Sequence, residues 1–159
     1  MNRSRIALAP AFVVAALAPM LMVAPADAAT ASNGCIVAPV RPAASGQVNA
    51  NNIPIVNYDI KVVCAGGRSV QVQQFRLEED TVAREGEGVD DLTGNTLRTL
   101  SFAGGAGART ERVRAALPKT PGDGAVEEVL HKVRFRVTTA AGTSAWTSFE
   151  PSAVRAIHR

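Results

Sequence analysis

Hydrophobic and polar positions alternate with a period of two over most of this chain. In residues 56–64, Val56, Tyr58, Ile60, Val62 and Cys64 face one way while Asn57, Asp59 and Lys61 face the other. This is the pattern of a half-buried antiparallel strand. It returns near the end, where Val129, Val133, Phe135 and Val137 oppose Lys132, Arg134 and Arg136. Between these two, Val70 and Val72 occupy even positions but Phe75 and Leu77 odd ones. A slip of phase by one residue predicts a β-bulge around Gln73 and Gln74. Further strands are expected at 35–40, 96–103, 110–117 and 145–149, which makes seven. The segment 109–117 comes nearest to a helical pattern, with Thr110 as a cap, and is read as a strand.

The breaks fit that reading. Pro39 and Pro42 lead into a polar, small-residue connection at 43–52; Gly66-Gly67 and Gly104-Gly105 with Gly107 mark tight turns; Pro118, Pro121, Gly122 and Gly124 mark a longer loop; and Ala140-Ala141-Gly142 closes a last hairpin. No helix-period segment is available to cross between parallel strands, so the expected fold is all-β, a single antiparallel β-sandwich of about seven strands.

The first 28 residues follow a different rule. Arg3 and Arg5 precede an apolar run at 6–23, and Ala26-Asp27-Ala28 places small residues where a signal peptidase cuts. Pro10 and Pro19 interrupt the run, which favours a cleaved secretory signal over a membrane anchor. The expected domains are therefore a signal peptide at 1–28 and one β-sandwich domain at 29–159. Cys35 follows Ser32-Asn33-Gly34 and lacks the context of a lipid anchor. Arginine outnumbers lysine fourteen to three and alanine is abundant, a bias of GC-rich bacterial genomes, so the expected location is a bacterial exterior or periplasm.

Loss of Arg3, Arg5 and Asp27 takes the net charge from +3 to +2. No later stretch is long enough to span a bilayer as an apolar helix. Residues 29–96 hold five basic and eight acidic side chains and 97–159 hold ten and five, an asymmetry too mild to indicate nucleic acid. Cys35 and Cys64 are the only cysteines, and an even count in an exported chain points to a disulfide. Closing a loop of about 30 residues contributes about 3 to 4 kcal/mol in the chain-entropy model. A metal site or a redox pair fits these two thiols less well: only His131 and His158 could complete a shell, and the Cys-x-x-Cys spacing is absent.

The run His131-Lys132-Val133-Arg134-Phe135-Arg136-Val137, followed by Ala140-Ala141-Gly142-Thr143-Ser144-Ala145-Trp146, resembles the last hairpin of fibronectin type III domains. The likeness covers about 20 residues and implies an immunoglobulin or fibronectin III-like sandwich with no catalytic residue. His131 stands where many of those domains have tyrosine, and the disulfide is more like that of an immunoglobulin-type domain.

Catalytic motifs are absent. There is no Gly-x-Ser-x-Gly elbow, no His-Glu-x-x-His and no phosphate-binding loop, since Gly104-Gly105-Ala106-Gly107 lacks the lysine and the following helix. His131 shares the face of Val133 and Phe135, as a hydrogen-bonded buried histidine does more often than a general base. The acids Glu78, Glu79, Asp80, Glu85, Glu87, Asp90 and Asp91 crowd one stretch, which is either a solvated loop or a calcium site without EF-hand spacing. Arg109, Arg112 and Arg114 lie close together, and Lys132, Arg134 and Arg136 align on the outer face of a strong strand. Neither set is interleaved with aromatics as a single-strand nucleic-acid platform requires. Along the strand the three cations stand about 7 Å apart, and Asp59 and Glu111 are the acids expected to answer them.

These features favour a secreted, non-catalytic binding or envelope protein with no cofactor. Its expected ligand is an anionic envelope polymer or a protein partner, met by Lys132, Arg134 and Arg136. Two other classes stay open: a small hydrolase with a site invisible in sequence, and an inhibitor or effector presenting a rigid loop at 83–95 or 117–124. The leader reading has a direct check. Secreted protein should begin Ala29-Thr30-Ala31-Ser32 on N-terminal sequencing, whereas a membrane-retained chain beginning at Met1 would contradict it.

Overall fold

A computed structural model of the chain describes residues 29–79, 91–118 and 125–159. The described residues form eleven strands and no helix: β1 (Thr30–Ser32), β2 (Cys35–Pro39), β3 (Ala43–Val48), β4 (Pro54–Cys64), β5 (Arg68–Glu78), β6 (Asp91–Phe102), β7 (Gly107–Ala116), β8 (Val126–Thr139), β9 (Gly142–Thr143), β10 (Glu150–Pro151) and β11 (Arg155–His158). Every pairing is antiparallel.

The first sheet is built around β4. Its β7 edge is paired from Ile55 to Cys64, and its other edge is shared by β3, along the first half, and β2, along the second. β1 extends the sheet beyond β2. The second sheet runs β6, β5, β8, and the far edge of β8 is divided among β11, β10 and β9. Two buried clusters join the sheets, a smaller one of Val56, Tyr58, Val113, Leu117, Val129 and Ile157, and a larger one around the disulfide. In the larger, Cys35, Val37, Ile60, Val62 and Cys64 of the first sheet pack with Val70, Val72, Leu100, Phe102, Val133, Phe135 and Val137 of the second. Burial of each such side chain contributes on the order of 1.5 to 3 kcal/mol relative to exposure.

Six of the seven expected strands are present, most of them longer at the ends. The seventh, 145–149, has no strand ladder, and the supposed connection at 43–52 contains β3, paired to β4 through Ala43, Ala44 and Val48. The bulge is also elsewhere. β5 pairs with β8 without interruption from Ser69 to Glu78, and the only break in β5 register is on the β6 side, where Arg76 meets Gly94 and Leu77 meets Leu92 so that Thr93 is extra. Gln74 is buried on the core side and Phe75 turns outward. A polar residue inside and an aromatic one outside imitate a slip of phase in a hydrophobic pattern while the backbone keeps its period.

β6 and β7 are the outer strands of the two sheets, and each is paired along one edge only among the described residues. Beside the buried Leu100, Phe102 and Val113, three positions on the core side of these strands carry charge. Arg98 lies opposite Val72, Arg109 opposite Val62 and Glu111 opposite Ile60, all three partners being buried. At the turns joining strands, Gly66 approaches Gly105 so closely that a Cβ would stand 2.9 Å from its Cα, which leaves glycine as the residue that fits.

Cys35 and Cys64 form a disulfide between directly opposed residues of β2 and β4, with Cα atoms 4.1 Å apart and a separation of 29 positions in sequence. Both are buried in the core. The expected consequence is a loss of about 2 to 5 kcal/mol in denaturant unfolding when both are replaced by alanine, and no free thiol in the denatured, unreduced protein.

Candidate functional site

The alternation of β8 sends Val133, Phe135 and Val137 into the core and Lys132, Arg134 and Arg136 to the opposite face. In register, β5 sets Phe75 beside Lys132, Gln73 beside Arg134 and Gln71 beside Arg136. The glutamines hold the guanidinium groups. Arg134 donates from Nε to Gln73 Oε1 at 2.8 Å, and Arg136 donates from Nε to Gln71 Oε1 at 2.7 Å. One row further out, β6 adds Asn95, Leu97 and Thr99, with Leu97 59% exposed.

Aromatic rings complete the row from the other side. Arg134 lies 5.0 Å from the centroid of Trp146 and 4.7 Å from that of Phe149, while Arg136 lies 4.9 Å from Trp146. Phe149 stacks in turn on Phe75 at 4.9 Å. Each cation over a ring is attracted by the ring quadrupole, by about 0.5 to 1 kcal/mol in a half-exposed setting. No carboxylate of a described residue pairs with Arg134 or Arg136.

The segment carrying Trp146 and Phe149 is fixed by an uncommon device. Ser144 donates its backbone N–H to Val137 O while its Oγ accepts from Val137 N; Thr147 does the same with Phe135, and Ser152 with His131. Each hydroxyl replaces the carbonyl that a regular strand would offer. The edge of β8 is thereby satisfied without a continuous partner strand, and the side chains between the hydroxyls are free of strand alternation. Trp146 and Phe149, three residues apart, can both lean over the row.

Asp59 and Glu111 do not answer the cations of β8. Both lie on the first sheet, and Asp59 is taken by Arg112, whose Nε and Nη2 donate to its two oxygens at 2.9 and 2.7 Å. The triplet Arg109, Arg112 and Arg114 is likewise split: Arg109 sits 5.1 Å over the Phe102 ring, and Arg114 donates to Gln47 Oε1 at 3.4 Å. Of the acidic stretch, Glu78 is buried at the end of β5, Glu79 donates its backbone N–H to Glu128 O, and Asp91, exposed, is the register partner of Glu78 at the start of β6. The rest of it, 80–90, lies outside the described residues, as do 119–124 and the expected signal peptide at 1–28. Among the described residues no three metal-ligating side chains gather.

His131 is fully buried, between the two apolar clusters of the core. Its Nε2 lies 2.7 Å from Val40 O and its Nδ1 2.5 Å from Gln74 Nε2. A carbonyl can only accept, so Nε2 carries a proton there and anchors the ring to the backbone at Val40. Tyr58 meets its edge at 5.7 Å, and Arg76 donates to Thr96 Oγ1 at 2.7 Å beside them. Gln74 Oε1 and Arg76 Nε have no partner in this layer. A hollow of about 570 Å³ beside the disulfide, lined by Ile36, Val63, Cys35, Cys64 and small residues, holds no titratable group.

The row was half visible in the sequence. The cations follow from alternation, but the aromatics come from positions 10 to 17 residues away in a segment that is not a strand. Its alternation of hydroxyl and apolar residues, Ser144, Trp146, Thr147 and Phe149, was the available signal. No protein family model matches the chain, and no curated protein sequence does.

Burial pushes the Tyr58 phenol up to about 12, against the attraction of Arg76 and with a smaller contribution from Glu78. The folded phenol keeps its proton where an unfolded one ionises near 10, so this stability is complete below about pH 10 and is lost between about 10 and 12. Tyr58 is the sole tyrosine. Phenolate absorbance should therefore rise only near pH 12 or with unfolding. Tyr58→Phe should remove about 2 to 3 kcal/mol of the alkaline decline in stability.

Proposed function

We propose that this chain is an exported, non-catalytic binding protein with an immunoglobulin or fibronectin III-like sandwich, retained at the cell envelope by an anionic polymer that meets Lys132, Arg134 and Arg136. One observation carries the reading. Arg134 and Arg136 are held in fixed poses by Gln73, Gln71, Trp146 and Phe149, yet no described carboxylate neutralises them. An ordinary solvated arginine is neither stacked nor clamped, and the ordering of its rotamers normally counts against binding. Here that ordering is complete before any ligand arrives. A guanidinium whose Nε–H is committed still presents its Nη edge, the edge that grips an oxyanion in bidentate fashion.

The test is retention on isolated cell envelopes. Wild-type protein should be retained at low salt and released as salt screens the attraction, and the Lys132→Gln, Arg134→Gln, Arg136→Gln variant should be retained several-fold less. Equal retention of the two proteins, or none of either, refutes the reading.

A further inference from the structure

We infer that the polymer is an acidic polysaccharide, whose sugar rings lie across the outer face of the second sheet with their carboxylates on Arg134 and Arg136. The inference rests on the function proposed above and names its ligand class. Charge alone would not need the rest of this face. Beside the cations, β5 and β6 present an amphipathic strip: Gln71 and Gln73 with amide groups, Thr99 and Asn95 with polar ends, and Leu97 standing 59% exposed among them. Both glutamines use Oε1 to accept from an arginine, which turns each Nε2 into a donor with no described acceptor. Donors and guanidinium edges thus lie within one register row of an apolar side chain.

A sugar acid matches that combination. Its ring has a C–H face for Leu97, hydroxyl and ring oxygens that accept from the amides, and a carboxylate for a bidentate guanidinium. A phosphodiester chain of small polyols carries the charge but no ring face. A nucleic acid carries bases, which need open aromatic faces to stack on. Here the rings of Trp146 and Phe149 already carry guanidinium groups, and Phe149 and Phe75 cover each other. The face therefore offers rings as supports for arginine and not as a platform for bases.

The experiment is affinity electrophoresis of the mature protein in native gels containing polygalacturonate, the same polymer fully methyl-esterified, or polyglutamate. These supply ring with charge, ring without charge, and charge without ring. Polygalacturonate should retard the protein at least about tenfold more strongly than either control, a difference equal to one strong polar contact. Leu97→Ser changes an exposed side chain and so leaves folding intact. It should weaken retardation by polygalacturonate about fivefold and leave polyglutamate unaffected. The double variant Arg134→Gln, Arg136→Gln, checked for fold by circular dichroism, should abolish retardation.

Equal retardation by polyglutamate and polygalacturonate, or no effect of Leu97→Ser, overturns the sugar assignment while leaving polyanion binding in place. Retention on envelopes without retardation by polygalacturonate overturns the ligand class alone. Absence of both removes the proposed function as well.

Discussion

The structure depends on satisfying both edges of β8. This strand is central to the second sheet, its inner side chains are core, and every backbone N–H and C=O along it must find a partner. One edge is closed by β5 over ten consecutive residues. The other is closed piecemeal, by β11 at its start, then Ser152, β10, Thr147, Ser144 and β9. Three of these closures use a hydroxyl in place of a carbonyl. That substitution frees the segment 144–149 from strand geometry and brings Trp146 and Phe149 over the arginines, so the candidate site follows from the way one edge is completed.

The same strand supplies both chemistries of the molecule. Its inward register carries His131 into a polar layer with Tyr58, Gln74 and Arg76, set between two apolar clusters. Its outward register carries the cations. Burial of polar groups in this layer costs free energy wherever a partner is missing, as at Gln74 Oε1 and Arg76 Nε, and that cost is about 1 to 3 kcal/mol for each group. The hydrogen bonds of His131 to Val40 and Gln74 tie the layer to both sheets, so the layer fixes how the sheets stand relative to one another as well as costing stability.

Period two along β4 and β8 made the sheets, the facing core and the outward row legible in the sequence, and cysteine parity did the same for the disulfide. Legibility failed where side chains and backbone obey different rules. Gln74 and Phe75 each occupy the face that composition would deny them, and the hydrophobic pattern therefore suggested a bulge that the backbone places at Thr93 instead. β3 is paired through small, mostly exposed residues and carries no hydrophobic signal at all. The partners of the row were invisible for a third reason. Gln71, Gln73, Trp146 and Phe149 reach it through register and through a hydroxyl-held segment, and neither is a property of neighbouring positions in the chain.

Among the described residues β6 and β7 are each paired along one edge only, one strand on each sheet, and they connect directly to each other in sequence. Unpaired strand edges are templates for adding another molecule's strand. The inward Arg98, Arg109 and Glu111 oppose this by a different physics from the outer row. An incoming strand would have to cover them and strip their water, and that desolvation penalty is not screened by salt as surface attraction is. The barrier that these charges set against an added strand therefore persists at high ionic strength.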